Sequence, residues 1–460
     1  MIYSKIMSEL CNINWRFGKT GWLLAAVSLF LATGAWAGTT AVPSRYQPSS
    51  TTVTNPLPWA PNGPLTVEQA LRRALDCDGR IASLKAAAHI AHQERLAAMD
   101  VKDPVLEGES RTMSYAQSVS SDDFDTTRLG LGVAVPNPWL TIPRVNARTA
   151  DYKAAQADLN AAIWLVRCDV RRLFAELDYL TNDLVLSANR VRLNGEVLSA
   201  VQARVGQGAA TASELMTAGR QSLQFQDDLD QTFHRYQMAR RQLAALLDVA
   251  PESFDLITNE VTPPLLPEPG LSFQSAEATA DRARNDLAAL RWRAQAAQSA
   301  YHEVRNEGVP WLKEIKVGYA DNAYNYSDKY WAGLTMNIPI FTWTINHAAS
   351  AARAKADLAS VDETNGVRLV REELHDALDE MDQTRRQTMR NDLSVKPLIA
   401  TMRQTLETLK NTPNVMPEHV AAAELQLVET LRYDLDTRWQ YQLAMLNFER
   451  TLGVPLDQQP

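Results

Sequence analysis

Apolar side chains recur every seven positions through the first half of the chain. One row consists of Tyr152, Leu159, Val166, Leu173 and Leu180, and a second row consists of Ile163, Val170, Leu177 and Leu184. A strict period of seven is typical of a long helix that packs against other helices as a coiled coil. The pattern extends from about Val145 to Val205 without a proline. Because a helix rises about 1.5 Å per residue, this stretch predicts a rod of about 90 Å.

The same layout returns in the second half. The segment VPNPWLTIPRVNARTADYKAAQADL is echoed by IPIFTWTINHAASAARAKADL, and VRRLFAELD is echoed by REELHDALDEMD. Each half is predicted to contain a helix, a β-hairpin, a very long helix, a tight turn and a returning helix. The repeat divides the chain into a first repeat at 65–250, a proline-rich linker at 251–272, a second repeat at 273–453 and a C-terminal tail at 454–460.

Alternation of apolar with small or polar residues predicts four strands. They run from Val105 to Tyr115, from Thr127 to Val135, from Ile315 to Tyr324 and from Tyr330 to Ile338. An apolar face suits either an outer-membrane barrel with interfacial aromatic residues or a half-buried hairpin of a soluble protein. Single-chain membrane barrels start at about eight strands, and open strand edges cannot face lipid. If these strands cross a membrane, several chains must therefore share one barrel.

The N-terminal part of the chain has the features of a targeting segment followed by a lead-in. Basic residues precede the apolar run Gly21 to Ala37, which ends in Ala-Trp-Ala. This order predicts a secretory signal peptide at 1–37. An uncleaved membrane anchor is the alternative, although the run is short for a spanning helix. Residues 38–64 are rich in Pro, Ser and Thr, which predicts an extended lead-in.

Composition narrows the classes of function. The 46 basic and 54 acidic residues give a net charge of −8, so the chain lacks the basic surface expected of a nucleic-acid-binding protein. Beyond the predicted signal peptide only Cys77 and Cys168 remain, and they are either free thiols or a pair. The sequence has no nucleophile–base motif, metal-ligand spacing or cofactor loop. We therefore expect no enzyme activity, no cofactor and no metal site.

Several segments resemble the TolC-like outer-membrane efflux proteins. They are LTVEQALRRAL, the strand exits VAVPNPW and MNIPIF, the segment ARVGQGAATASELMTAGRQSL with the later RRQLAALLDV, and YQLAMLNFERTLG near the C-terminus. The resemblance spans about Leu65 to Gly453. It implies a mainly α fold with a small β part and two tandem structural repeats. The long coiled-coil helices would form a periplasmic α-barrel, and four strands per chain would contribute to a shared transmembrane β-barrel.

The resemblance also implies a location and partners. The family members are homotrimers in the outer membrane of Gram-negative bacteria, in contact with outer-membrane lipid. Their periplasmic end meets a periplasmic adaptor protein and an inner-membrane pump, and the PNPW exit resembles members that work with resistance-nodulation-division pumps. The chain is therefore expected to be the exit duct of a tripartite efflux pump. A structural or adaptor-like periplasmic coiled coil without a membrane barrel is the alternative.

The two chain reversals at the far ends of the long helices are the expected sites of docking and gating. At the first reversal, the residues that match the family's positions are Arg204, Gly208, Thr211, Glu214, Leu215 and Ala218. Gly206 and Gly208 also suit a reversal, because a residue of positive φ commonly ends a helix and glycine adopts it freely. An ordinary helical turn without a partner is the alternative interpretation.

The second reversal departs from the family pattern. Pro413 stands in place of the turn glycine, and His419 and Ala422 stand where some members carry two acidic residues that narrow the pore. The resemblance therefore does not imply an acidic ring at this level. Because histidine titrates near neutral pH, His419 is predicted either to make the channel entrance sensitive to pH or to be a solvated residue on the helix surface.

Overall fold

The computed structural model describes residues 65–99, 102–113, 124–255, 272–322, 330–340, 342–412 and 415–456. The predicted signal peptide and lead-in, most of the linker and Pro413 lie outside these residues. Within the described ranges, none of the helices combines the length and the hydropathy needed to cross a bilayer.

The first half contains two short helices, a hairpin and two long helices. In chain order they are α1 (Val67–Cys77), α2 (Gly79–Ala97), β1 (Val105–Met113), β2 (Phe124–Ala134), α3 (Pro138–Gly206) and α4 (Ala212–Leu247). Helix α3 has 69 residues. At about 1.5 Å per residue its length is about 100 Å.

The second half repeats this order. Its elements are α5 (Phe273–Ala283), α6 (Asn285–Asn306), β3 (Trp311–Asn322), β4 (Tyr330–Asn337), α7 (Thr342–Asn411) and α8 (Pro417–Leu452). Residue numbers show how closely the halves correspond: α1 and α5 begin at 67 and 273, α3 and α7 at 138 and 342, and α4 and α8 at 212 and 417, offsets of 206, 204 and 205. The predicted mainly α fold with two tandem repeats and four strands per chain is confirmed.

Helix α3 begins seven residues before the predicted Val145, because its start is capped. The Asn137 side chain accepts a hydrogen bond from the Trp139 N–H, and Pro138 occupies the first helical position, where a missing N–H costs nothing. The helix also accommodates Pro143, whose ring leaves the carbonyl of Trp139 without its usual intrahelical donor. That carbonyl accepts a hydrogen bond from Asn306 Nδ2 at 2.8 Å. Sequence periodicity alone did not predict this extension.

The seven-residue rows of α3 form its packed face, and this face changes character along the helix. Val166, Val170, Leu173, Leu177 and Leu180 are buried, while Tyr152, Leu159, Ile163 and Leu184 are half-buried. Farther along, most of the buried positions carry polar side chains, namely Asp183, Ser187, Arg190 and Asn194, and Leu193 is a buried apolar residue among them. The apolar part of the rows was predicted, and the polar continuation was not.

Helix contacts follow a single order. Nearer the strands, successive contacts run from α2 to α3 to α6 to α7, and nearer the reversals they run from α4 to α3 to α8 to α7. Helices α2 and α4 therefore lie at one side of each chain and α7 lies at the other. In the second half, a core of α5, α7 and α8 residues includes Ala276, Leu374, Met381, Tyr441 and Phe448.

The strands form one antiparallel sheet in the order β1-β2-β3-β4. Strand β2 of the first hairpin pairs with β3 of the second, with Leu131 opposite Val317. The outer strands β1 and β4 each have one neighbour within the described residues, so each presents a free edge. All four predicted strands are present; β2 begins three residues, and β3 four residues, earlier than predicted.

The two cysteines of the described residues are free thiols, so the alternative of a Cys77–Cys168 pair is wrong. Burial raises the pKa of the Cys168 thiol to about 12. Because the thiolate is the reactive form of cysteine, this shift lowers the reactivity of the side chain near neutral pH.

Candidate functional site at the chain reversals

The first reversal closes α3 with a left-handed glycine. Gly208 has a φ of +74° and follows the last residues of the helix. Its N–H donates to the Val205 carbonyl at 3.0 Å, and the Ala209 N–H donates to the Arg204 carbonyl at 2.8 Å. These two bonds together form a Schellman motif, which satisfies the last free carbonyls of the helix. The positive φ predicted for Gly208 is confirmed.

The same prediction is wrong for Gly206. Gly206 is the last residue of α3, and among the described glycines only Gly208 and Gly453 have a positive φ. A Cβ added at Gly206 would meet no atom within 4 Å. Of these two positions, only Gly208 therefore needs to be glycine.

The returning helix α4 is capped at its N-terminus by Thr211. Thr211 Oγ1 accepts a hydrogen bond from the Glu214 N–H at 3.2 Å, and it donates to Glu214 Oε1 at 3.1 Å. Glu214 lies in the first turn, where the helix dipole favours a negative charge. Thr211 and Glu214 thus hold the start of α4 in place while both side chains stay exposed.

Arg204 joins the first reversal to the start of α8, the helix of the second half. Its Nη1 lies 3.4 Å from Glu418 Oε1, and its Nη2 lies 4.0 Å from Glu214 Oε2. Nη2 also donates to the Ala209 carbonyl at 3.3 Å. One guanidinium therefore contacts both returning helices and the turn between α3 and α4.

The structure brings only some of the predicted residues into contact. Arg204, Gly208, Thr211 and Glu214 form one connected group, whereas Leu215 is half-buried on the next turn of α4. His419 is exposed, and its backbone N–H donates to the Met416 carbonyl at 3.0 Å.

The second reversal is built differently. Helix α8 starts with Pro417 in its first turn, and Met416, the residue before it, makes no side-chain capping bond. The approaching helix is tied to α8 by Lys410, whose Nζ lies 2.5 Å from Glu424 Oε1. Because a terminal proline needs no partner for an N–H, this start requires less side-chain help than that of α4.

A buried charged cluster lies farther along the rod, where the packed face of α3 becomes polar. Asp183 is 3% exposed, and its Oδ1 lies 2.6 Å from Arg432 Nε of α8. Thr232 of α4 donates to Asp183 Oδ2 at 3.2 Å. Arg190 Nη1 lies 3.3 Å from Asp228 Oδ2, also of α4. The only sequence signal for this cluster is the replacement of apolar residues by polar ones on the buried face.

One face of the sheet is apolar and exposed. Leu106, Leu131, Val317 and Ala332 lie opposite one another across the four strands, and their neighbours on this face include Leu129, Val133, Ile315 and Leu334. Leu334 is 72% exposed and Leu106 is 69% exposed. A continuous exposed apolar surface of this kind marks contact with a partner or with a membrane.

No protein-family model and no curated protein sequence matches the chain. Solved structures do match. The outer membrane protein VceC from Vibrio cholerae has a TM-score of 0.64 at 18% identity, covering 85% of this chain and 96% of that one. The MtrE outer membrane channel of Neisseria gonorrhoeae in its open state has a TM-score of 0.61 at 14% identity, covering 86% and 91%.

A third match is CusC, with a TM-score of 0.64 at 18% identity, covering 84% of this chain and 92% of that one. All three align over more than nine tenths of their own length. The chain therefore has the same fold as these three proteins. Its fold is that of the TolC-like outer-membrane efflux channels, as the sequence resemblance implied.

Proposed function

We propose that the chain is the outer-membrane exit duct of a tripartite efflux pump. It would conduct passively the cargo that an inner-membrane pump and a periplasmic adaptor deliver. The observation that carries the proposal is the sheet: four strands with one exposed apolar face and two free edges, attached to helices about 100 Å long. Such a sheet cannot stand alone in lipid, because every backbone polar group there must be paired.

A homotrimer resolves this problem. Strand β1 follows α2 in the chain and β4 precedes α7, and α2 and α7 are the two ends of the helix order α2-α3-α6-α7. A head-to-tail ring would place β4 of one copy beside β1 of the next, and such a ring closes without leaving an edge. Three copies would give one barrel of about twelve strands, within the range known for outer-membrane barrels.

The surfaces match this arrangement. In the ring, the apolar face around Leu131 and Val317 would contact outer-membrane lipid. Helix α7, at the outer side of the chain, carries exposed Leu369 and Leu393, which would pack against the next copy. Trp139 and Trp343 start the two long helices and would lie at the periplasmic interface, where aromatic residues are favoured.

The first reversal would be the docking and gating site. It lies at the opposite end of α3 from the strands, so it would face the adaptor and the pump, which the PNPW exit suggests to be of the resistance-nodulation-division type. Arg204 ties α4 and α8 together at this end through Glu214 and Glu418. The side chains of the Arg204–Glu214 pair are 40% and 50% exposed, and such a pair contributes about 1 kcal/mol or less, so docking would exchange this contact at small cost.

Fractionation tests the proposal. The chain is produced in Gram-negative cells, inner and outer membranes are separated on a sucrose gradient, and the detergent-extracted protein is sized by light scattering. We expect the outer-membrane fraction and three times the mass of the mature chain. A strictly monomeric protein, or one found in the soluble periplasmic fraction, would overturn the proposal in favour of an adaptor-like coiled coil.

A further inference from the structure

The face of the sheet opposite the apolar one carries a lane of glycines. Strand pairing places Glu107, Gly130, Gly318 and Trp331 opposite one another on β1, β2, β3 and β4. The next row on this face holds Gly132, Lys316 and Gly333. Trp331 is therefore opposite Gly318, and Lys316 is opposite Gly132 and Gly333. The glycines at these positions have no side chain that would prevent the tryptophan or the lysine from extending across the sheet.

Trp331 of β4 lies over β3 and reaches β2. A Cβ added at Gly318 would be 2.5 Å from the indole Nε1, and one added at Gly130 would be 2.8 Å from Cζ2. One added at Gly333 would be 3.2 Å from Cζ3. Because real Cβ atoms do not approach this closely, the indole occupies the space that a side chain at Gly130 would need, and at Gly318 it shares that space with the Leu129 carbonyl oxygen of β2. The ring thus extends from β4 over β3 to β2.

Lys316 of β3 makes a similar crossing in the same direction. Its Nζ lies 2.6 Å from Glu107 Oε1 and 2.8 Å from Glu107 Oε2, so the lysine reaches over β2 to β1. In the strand register, Gly132 of β2 is opposite Lys316 and Gly130 of β2 is opposite Glu107, and the Glu314 carboxylate occupies the space above Gly132. Glu314 Oε2, on the lysine's own strand, lies 3.5 Å from the same Nζ.

These two crossings link strands that are not neighbours. Backbone ladders fix each adjacent pair, but a strand of alternating residues that slips by one exchanges its two faces. A side chain that rests on the second strand away penalises such a slip, and aromatic cover of glycine is a known means of fixing register. Together Trp331 and Lys316 connect all four strands of one chain.

We propose that Trp331 and Lys316 hold the four strands of one chain in a single register, so that the free edge of β4 is presented to β1 of a second copy. The proposal rests on the proposed trimeric barrel. Its partner is a second copy of this chain, because among the described residues β4 has no strand paired on its outer side and β1 is the other free edge of the same sheet. Both residues would be positioning residues for assembly.

The test uses the full chain with Trp331→Ala and Lys316→Ala, each beside a matched control. Tyr330→Ala removes the adjacent aromatic residue of β4, which is 84% exposed on the opposite face and whose ring contacts Tyr319 on the neighbouring strand, 5.9 Å away between ring centroids. Lys313→Ala removes an exposed lysine of β3. The fraction of chain recovered from outer membranes as trimer on unheated detergent gels is measured, and hydrogen exchange of the β4 amides is followed in that trimer.

We expect each of the two variants to lose trimer by about fivefold relative to its control, as cross-strand contacts of about 1 kcal/mol would give. Trp331→Phe, which keeps an apolar ring, should restore most of the trimer. In the trimer that remains, β4 amides should exchange faster than in the wild type. Glu107→Gln combined with Lys316→Ala should cost no more than either change alone.

Two results would overturn the proposal. The first is normal trimer yield and β4 protection in both variants; if channel conductance in bilayers then changed with Trp331→Ala, the indole would contact cargo instead. The second is an equal loss of trimer in the controls. A wild-type chain that is not trimeric would be a failure of the proposed function, and it would appear before any variant is made.

Discussion

The two halves of the chain have the same order of helices and strands, but different residues occupy the ends of corresponding helices. Where α4 ends, Asp248 takes the left-handed conformation with a φ of 52°, and where α8 ends, Gly453 takes it with a φ of 85°. Both halves therefore need a residue in the left-handed conformation at the end of this helix. The two positions differ in that a Cβ at Gly453 would lie 3.3 Å from the Arg284 N atom, a tight contact that favours glycine in the second half.

An ion pair is also present in both halves with different residues. Between the two short helices of the first half, Asp78 caps α2 and its Oδ2 lies 2.9 Å from Arg80 Nη2. At the matching positions of the second half the charges are exchanged, with Arg284 Nη2 lying 2.6 Å from Asp286 Oδ2. The repeat thus preserves the presence of a salt bridge at this bend and not the sign of either residue.

The largest effect is expected at the first reversal, whose glycine has no described counterpart in the second half. Gly208→Val forces a β-branched residue to a φ of +74°. We expect export to be lost in a strain without the wild-type copy, while trimer and membrane insertion persist. Gly206→Val is the matched control, because this position lies in the helix with open space around it, and it should export normally.

Glu214→Lys at the same reversal should also abolish export. It places a positive charge beside Arg204 and in the first turn of α4, where the helix dipole disfavours it. Normal export by this variant, or by Gly208→Val, would show that the position has no role in docking or gating. Loss of the trimer in both would show that the reversal is structural.

The second prediction concerns the cluster where the halves meet. Arg432→Ala leaves Asp183, a buried carboxylate of the first half, without its partner from the second. Removing one member of a buried ion pair costs about 3–5 kcal/mol. Thermal unfolding followed by circular dichroism should show this loss. Arg438→Ala, on the same helix and half-exposed in its pair with Asp434, should change stability by about 1 kcal/mol or less.

Sequence reasoning predicted what depends on local pattern. The seven-residue rows gave α3, the echo of the first half gave α7, and alternation gave the four strands. Asp183 and Arg432 are 249 positions apart, and nothing local to either predicts their contact. The role of Trp331 was equally hidden, because its glycine partners lie on other strands and become neighbours only once the register is known.

The third prediction exchanges the two left-handed residues. Gly453→Asp introduces a Cβ that crowds Ala283 and Arg284, and the expected loss is about 2 kcal/mol. Asp248→Gly removes a non-glycine residue from the left-handed region and should stabilise by up to about 1 kcal/mol. Chemical denaturation of the two variants measures both. Equal effects of the same sign would mean that the halves do not differ in packing at this point.

The smallest expected effect is the pH dependence of the stability that the Asp78–Arg80 and Arg284–Asp286 ion pairs provide. The hydrogen bond from Arg80 lowers the pKa of Asp78 in the folded chain. In the second half, burial opposes the shift, but hydrogen bonds from Arg284 still leave the pKa of Asp286 below its usual value. A carboxyl group with a lowered folded-state pKa adds stability above its unfolded pKa of about 4, and this stability is lost as the pH falls through the folded value.

Asp78→Asn isolates the charge, because asparagine caps a helix as well as aspartate does. At pH 7 we expect the variant to be less stable by about 1 kcal/mol or less. The difference from the wild type should shrink below about pH 4, since Asp78 is then increasingly protonated in the unfolded and finally in the folded state. Asp286→Asn should follow the same profile. A difference that stays constant down to pH 2 would show that Asp78 acts through its shape as a cap and not through its charge.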